Sequence, residues 1–415
     1  MEEEQNEPPQ TTTTTTTNKI TIKIPTHKTT TNAGILPLDP LLQIWSHLPA
    51  TSLYRLRSVC HLWNSSIISD PLLPSFRHRL RHRLPPSPTL LLILRHLPSE
   101  PIKVPDRPAL LSTVPASDLF LSSAAAAVPS HHLKNGFTPY ADTAVFLLPS
   151  SHRLSPLCCF ASNRFFYLCN PSINRFLRIS PSQTRHSTTN AAFGYLPIEN
   201  RFALVNITDT TAEILEFGPG QAGSATWRVI PDRAPGPVRD FGLMVNKRFF
   251  WASAELGLGF SICLDYTKEE FTIINPPQGN AGETMMYDKM YLVEFRGAVC
   301  AVDNFSRPPR MQVWVLDEVG NDFNWVRKYN VFMTGMSRDV VYPFCDYYFY
   351  DENEEDEVKR REKSEMIVLC NKTRSRLYCY NTKSRNTKLV YKPKQRSFEQ
   401  LALYTPGLFP LSFVD

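Results

Sequence analysis

No two cysteines in this sequence stand at C-x-x-C spacing, no apolar run exceeds five residues, and no G-x-S-x-G, H-E-x-x-H or glycine-rich phosphate loop occurs. The first absence argues against zinc-ribbon and thioredoxin-like classes, because both need closely spaced thiolates at one metal or redox centre. The second argues against a membrane-spanning helix, which takes about 20 apolar residues; the run LLLIL at 90–94 is strand length. The third leaves the local signatures of acyl transfer, metalloproteolysis and phosphoryl transfer without support. No catalytic residue, metal ligand set or cofactor is therefore assigned. The amino-terminal stretch MEEEQNEPPQTTTTTTT is acidic and polar, unlike a signal peptide.

Charge of one sign is scarce as well. The 45 basic residues exceed the 39 acidic ones by +6, too little over 415 residues to point to nucleic acid as a partner. Basic residues cluster at 77–84 (RHRLRHRL) and 359–363 (KRREK). His78 and His82 are four apart, a spacing zinc can use, but no third ligand accompanies them, and a solvated basic face accounts for both.

The nine cysteines are an odd number, and Cys169, Cys263, Cys300, Cys370 and Cys379 sit inside apolar runs. Such thiols read as small buried hydrophobes in a reducing compartment, so nucleus or cytoplasm is expected. The 35 prolines imply a chain that turns often. At roughly 100–200 residues per domain, the length allows about two domains.

Residues 1–33 are dominated by Thr, Glu and Pro and should form a disordered tail. Helical pattern occupies 34–72, a basic linking helix is expected over 73–87 from the spacing of Leu73, Phe76, Leu80 and Leu84, and an all-β domain over 88–412. In that last part apolar runs of four to eight residues alternate with turn clusters. Three stretches look alike: 166–179, 261–274 and 376–390 each read as a strand, an Asn or Asp that can start a turn by bonding its own backbone, and a second strand. Two more, 212–230 and 311–329, have the same shape with a longer loop and a tryptophan in the return strand. From Asn170 to Glu216, Asp265, Asp317 and Asn381 the steps are 46, 49, 52 and 64 residues. The last contains 351–365 (DENEEDEVKRREKSE), a solvated insertion. A strand-built period near 45–50 residues suits a β-propeller of about six blades; a pair of β-sandwiches with coincidental spacing is the alternative.

The helical block runs from Leu36 to Pro71. Asp39 suits a helix N-cap and Pro40 the first helical position, and Leu41, Ile44, Trp45 and Leu48 share a face until Pro49. Thr51 or Ser52 is expected to cap a second helix, and Ser58 to precede a third in which Val59, Trp63 and Ile67 recur every fourth residue. About 35 residues make too small a core to stand alone, so part of this apolar surface should be covered by something else.

This block resembles the F-box of plant F-box proteins, whose pattern is met by Leu36, Pro37, Asp39, Leu41, Leu42, Ile44, Leu48, Pro49, Leu53, Arg55, Arg57, Val59, Cys60 and Trp63, with SDP at 69–71. Pro40 stands where a leucine is commoner, and His61 where Lys or Arg is usual. From NPSINRFLRI at 170–179 to ALYTPGLFPL at 402–411, the second part is similar to the F-box-associated and kelch-type domains of the same proteins, though glycine pairs of the kelch kind are missing.

The resemblance implies a fold of a small all-α F-box followed by an all-β propeller. It implies a non-catalytic substrate-recognition subunit of a Skp-cullin-F-box ubiquitin ligase. A Skp-type adaptor, and through it cullin and RING subunits, would be bound by Leu36, Pro37, Leu41, Ile44, Leu48, Pro49, Leu53, Val59, Cys60 and Trp63. Leu42, Leu56 and Ile67 would form the miniature core, and Trp63 fits either role. A protein target would be held by propeller loops, with 218–225, 276–283 and the acidic insertion as exposed candidates. An enzyme on a propeller scaffold, and a non-proteolytic scaffold or transcription cofactor, are the competing functions.

Overall fold

The computed structural model describes residues 38–48, 50–69, 90–95, 110–115, 131–132, 146–149, 155, 157–162, 165–171, 175–180, 190–255, 259–279, 287–305, 310–319, 322–332, 341–347, 366–371, 376–382, 384–391 and 399–404. The Thr-rich tail, Leu36, Pro37, Pro49, the 73–87 segment and the 351–365 insertion lie outside these residues. Three helices come first: α1 (Leu38–His47), α2 (Ala50–Leu56) and α3 (His61–Ser69). No described helix is long and apolar enough to cross a membrane.

Among the described residues, the regular elements after them are strands, apart from one 3-10 turn at Tyr287–Lys289. The chain runs through β1 (Leu90–Arg95), β2 (Leu110–Pro115) and β3 (His131–His132), then β4 (Phe146–Leu147), β5 (Cys158–Ala161), β6 (Phe166–Asn170) and β7 (Arg175–Ile179). It continues with β8 (Ala191–Leu196), β9 (Arg201–Thr208), β10 (Thr211–Phe217) and β11 (Trp227–Arg233), then β12 (Val238–Val245), β13 (Arg248–Ser253), β14 (Ser261–Asp265) and β15 (Glu270–Ile274). Last come β16 (Tyr291–Phe295), β17 (Ala298–Asp303), β18 (Arg310–Val319), β19 (Asp322–Phe332), β20 (Val341–Tyr347), β21 (Met366–Asn371), β22 (Arg376–Asn381), β23 (Thr387–Tyr391) and β24 (Glu399–Tyr404).

These strands form antiparallel meanders: β4 to β7, β8 to β11, β12 to β15, β16 to β19 and β20 to β23, with β8 to β15 making one eight-stranded sheet joined at a single parallel pair, Gly242 with Ala192. The remaining sheet has the order β24-β1-β2-β3, so the last strand of the chain completes the first meander. First-position strands touch their neighbours, β24 with β4, β8 with β12, β12 with β16 and β16 with β20. Sheets joined at one edge in this way radiate from a common axis, which is the β-propeller arrangement.

The core follows the same geometry, because its large clusters are slabs between successive meanders. Leu157, Cys159, Phe166 and Leu168 of one sheet meet Phe193, Phe202, Leu204 and Phe217 of the next. Ala203, Val205 and Ile214 meet Met244, Phe249, Trp251 and Ile262, and Cys300, Val302 and Val313 meet Val341, Ile367 and Leu369. A sheet sandwiched on both sides has inner strands without a solvent face, hence the continuous burial of β5, β6 and most of β8 and β9. The fourth strands β11 and β15 are mostly exposed, and β7 has a single buried residue, Ile179. Cys60 is an exposed free thiol, and Cys158, Cys159, Cys169, Cys263, Cys300, Cys370 and Cys379 are buried free thiols.

The five stretches singled out by their repeat are the third and fourth strands of five successive meanders. Their turns work as anticipated: Asp265 Oδ1 accepts from the backbone N–H of Thr267 at 2.8 Å and of Lys268 at 3.1 Å, and Asn381 Oδ1 from Ser384 N–H at 2.8 Å. The longer loop expected within 311–329 is instead strand, since β18 and β19 stay paired out to Val319 and Asp322. The two tryptophans stitch sheets together. Trp227 Nε1 donates to Ser180 O at 2.9 Å and Trp325 Nε1 to Asn275 O at 2.8 Å, each acceptor standing just beyond the fourth strand of the preceding meander.

Candidate functional site

In α1, Leu41, Leu42 and Trp45 are buried, and with Leu53 of α2 and Ile67 of α3 they form the core of the helical block. At about 100° per residue, Leu41, Trp45 and Leu42 span an arc of about 100°, and Ile44 falls about 60° beyond its edge. Ile44 is accordingly 52% exposed. The indoles of Trp45 and Trp63 meet edge to face, with centroids 5.3 Å apart, and bring α1 against α3. Leu48, Leu56 and Trp63 pack half-buried around this centre.

The helix boundaries differ from those expected in a way that matters for the site. Asp39 and Pro40 lie inside the first turn of α1, where proline's missing N–H is harmless. Thr51 and Ser52 lie within α2 and do not cap it. After α2 the chain closes tightly, with Ser58 N–H and Oγ both donating to Arg55 O and Val59 N–H to Leu56 O. Val59 is therefore in the turn rather than on the stripe of α3, and it is 59% exposed. Asn64 N–H reaches back to Cys60 O at 3.0 Å, starting α3 there, and Arg57 Nε donates to Asn64 Oδ1 at 2.9 Å across the turn.

Of the residues named as an adaptor surface, Ile44, Val59 and Cys60 are exposed, Leu48 and Trp63 half-buried, and Leu41 and Leu53 belong to the core at 4% and 0% exposure. Leu41 and Leu53 were expected to face a partner; they hold the helices together instead, because a block this small needs its most central leucines for itself. Leu36, Pro37 and Pro49 fall outside the described residues. Leu62, 47% exposed, joins the apolar surface without having been singled out. Its signal was position: it precedes Trp63 and so cannot share the buried face that Trp63 and Ile67 occupy. The result is a knob with a closed core and three large apolar side chains, Ile44, Val59 and Leu62, facing outward.

On the propeller, the strand alternation sorts the loops between two ends. Connections within the first and second hairpins of each meander gather on one face, here the hairpin face; second-to-third connections and links to the next meander gather on the other, the crossover face. The candidate loop at 218–225 joins β10 to β11 on the hairpin face, whereas the described part of the second candidate, 276–279, leaves β15 on the crossover face. Ion pairs line the hairpin face, some within a meander and some between neighbours. Arg228 reaches Glu216 at 2.8 Å and Glu269 Oε2 at 2.9 Å, Tyr266 donates to Glu216, Lys247 pairs with Glu199, and Arg248 pairs with Asp265 at 3.3 Å and with Glu318. Burial opposes ionisation of Glu216, but hydrogen bonds from Tyr266 and Arg228 outweigh it and hold the carboxyl below its ordinary range.

Comparison with known proteins agrees with this division into knob and propeller. The family described as F-box associated beta propeller domain matches residues 111–399, and the F-box-like family matches 33–73. The F-box protein At5g18160 of Arabidopsis thaliana is 27% identical over 303 residues, covering 70% of this chain and 69% of that protein. The F-box/kelch-repeat protein At4g19930 of the same plant is 22% identical over 317 residues, covering 71% and 68%. Among solved structures, TolB from Acinetobacter baumannii aligns over 81% of this chain and 73% of its own, at 11% identity and a TM-score of 0.44.

Proposed function

The chain belongs to the plant F-box proteins that carry an F-box-associated β-propeller domain, and from that premise we propose that its helical knob docks a Skp-type adaptor while its propeller holds a target protein for ubiquitination and degradation. Family members are substrate adaptors, so the task is positional rather than chemical. Holding the target near a ubiquitin-charged enzyme makes lysine attack quasi-intramolecular. The adaptor in turn binds the cullin that carries the RING subunit.

What carries this reading is the outward set Ile44, Val59 and Leu62 on a knob whose own core is already closed. Complete burial of such a side chain is worth about 1.5–3 kcal/mol, so covering the exposed half of each yields roughly 1 kcal/mol apiece. Leu36, Pro37 and Pro49 join this surface in the proposal, Leu48, Cys60 and Trp63 form its rim, and Leu41 and Leu53 support it from beneath.

The test is co-purification with the adaptor. Ile44→Asp and Leu62→Asp each place a charge where an apolar contact is proposed, and each should weaken adaptor binding by at least about tenfold. The thermal midpoint of the propeller should not move, and a target protein should persist longer in cells carrying either variant. Undiminished adaptor recovery with both substitutions would sink the docking assignment.

A further inference from the structure

We propose that the target is read on the crossover face, where the β12–β15 and β16–β19 meanders meet, and that this place takes an acidic side chain of the target. This rests on the propeller being the target-holding part. Three independent observations lead to it.

The first is topological. The propeller's first strand starts at Leu90 and its last ends at Tyr404, both on the hairpin face, because β24 occupies the first position of its sheet and β1 the second. The polypeptide from the helical knob thus joins the hairpin face, and the crossover face lies at the far end of the same strands. The second is that the ion pairs described above already engage Arg228, Lys247 and Arg248 on the hairpin face.

The third is a chain of contacts at the junction itself. Arg239 of β12 donates to the carbonyls of Tyr287 and Met290. Next to them, Lys289 Nζ sits 5.3 Å from the centroid of Phe305, whose N–H donates to Asp303 Oδ1 at 2.7 Å. Asp303 faces Gln312 directly across the β17–β18 ladder, and Gln312 Oε1 accepts from Arg327 Nη1 at 3.2 Å. Met311 and Val313 pack toward β20–β23, so strand alternation turns Gln312 and Arg310 toward β12–β15.

Gln312 Nε2 and Arg310 Nε are buried donors with no acceptor among the described residues. Gln312 is fully buried, and Arg310, half-exposed, lies toward solvent from it. Donors held out of water without an acceptor are costly, and a ligand that supplies one removes the penalty. Arg310 carries a guanidinium, the group that carboxylates engage side-on, and exposed Lys289 adds a second positive charge on the same face. Asp303 within the site, and Asp240 and Glu255 exposed on the adjoining meander, limit how much negative charge it tolerates. A side-chain carboxylate meets these three acids with one negative charge where a phosphate dianion brings about two, and Asp or Glu is the occupant we assign.

The full chain in complex with its adaptor is panned against a phage-displayed library of random linear peptides, beside Arg310→Gln and Lys289→Gln. Peptides selected by the native sequence should be severalfold richer in Asp and Glu than the input library, and Arg310→Gln should abolish the enrichment. A selected peptide titrated by fluorescence anisotropy should lose about tenfold in affinity with Arg310→Gln, or when its own Glu becomes Gln. Lys247→Gln on the hairpin face should change nothing. Lys289 is on the surface, so Lys289→Gln, expected to weaken binding severalfold, decides the matter should Arg310→Gln lower the thermal midpoint. Selected peptides no more acidic than the library, affinity indifferent to both substitutions, or a preference for phosphoserine in place of Glu would each overturn the proposal. Ile44→Asp separates the two readings, since it should lose the adaptor while keeping peptide affinity.

Discussion

Replacing Gly242 by alanine tests the propeller at the parallel pair that joins β8 and β12. Gly242 does not have a left-handed φ, so its need for glycine is spatial. A Cβ there would stand 2.4 Å from Trp251 Nε1, 2.5 Å from Cε2 and 2.8 Å from Cδ1. The indole cannot easily step aside. Trp251 is 1% exposed, its Nε1 donates to Asn190 O at 2.9 Å, and its ring stacks on Phe249 at 6.0 Å. Overpacking of this kind costs about 1–3 kcal/mol, and a displaced indole also forfeits a hydrogen bond worth about 1 kcal/mol. Gly242→Ala should therefore destabilise by about 2–4 kcal/mol, lowering the propeller's thermal midpoint by roughly 4–8 °C. An unconstrained strand glycine would give the opposite sign, a gain of about 0.4–1 kcal/mol from the unfolded chain's lost entropy. Calorimetry of Gly242→Ala, Trp251→Leu and the double variant decides: the double should cost less than the sum of the singles. A stabilised or unchanged Gly242→Ala would refute the packing described for this junction.

The remaining predictions concern turns, protons and thiols. Asp265→Ala removes an acceptor serving two backbone N–H groups and should cost about 1 kcal/mol in urea unfolding, with Asp265→Asn recovering part of it. Hydrogen bonding from Lys247 lowers the carboxyl of Glu199; in Asp265, burial is outweighed by bonds from Thr267 and Lys268. With Glu216 also depressed, these groups contribute stability that is complete above their ordinary values of 4.5 and 3.8 and is lost as pH falls through the lower folded values. Acid titration of the thermal midpoint should show that fall, and Glu216→Gln should make it shallower. Burial pushes Cys263 and Cys300 up to about 12 and Cys379 up to about 11, so mass mapping after brief alkylation at neutral pH should find Cys60 labelled and these three protected until the chain unfolds.

The propeller was legible because its third and fourth strands carry their own turn chemistry. Asp265 and Asn381 start their turns by side-chain bonds that span two or three residues, and a local device of that kind leaves a local signature. The first and second strands were harder to see. Tyr291–Phe295 and Val238–Val245 owe their place to contacts with the first strands of the meanders on either side, which no spacing within the segment records. The polar ends of the second strands were missed for the opposite reason. Ser253 Oγ accepts from Glu255 N–H and Asp303 Oδ1 from Phe305 N–H, but a single Ser or Asp in a long chain does not stand out. In the helical block, periodicity identified the apolar residues without deciding between Leu41 and Ile44, three positions apart. Only the packing of α2 and α3 selects the arc that is buried.

The same packing explains why a propeller suits a positional task. Each inner strand is pressed between two sheets, so the strand ends that anchor a loop cannot shift without moving both slabs, and interiors at this density resist that. Trp227 and Trp325 extend the constraint to the outer strands by tying each to the preceding sheet. A scaffold so constrained sets a fixed distance from its hairpin face, where the chain from the knob joins at Leu90, to its crossover face, where Arg310 and Lys289 lie. Effective concentration depends steeply on whether linked sites can be spanned. A soft scaffold would spread the target's lysines over a large volume. A rigid one confines them to a shell whose radius the strand length sets, and loops can then change in sequence without changing that radius.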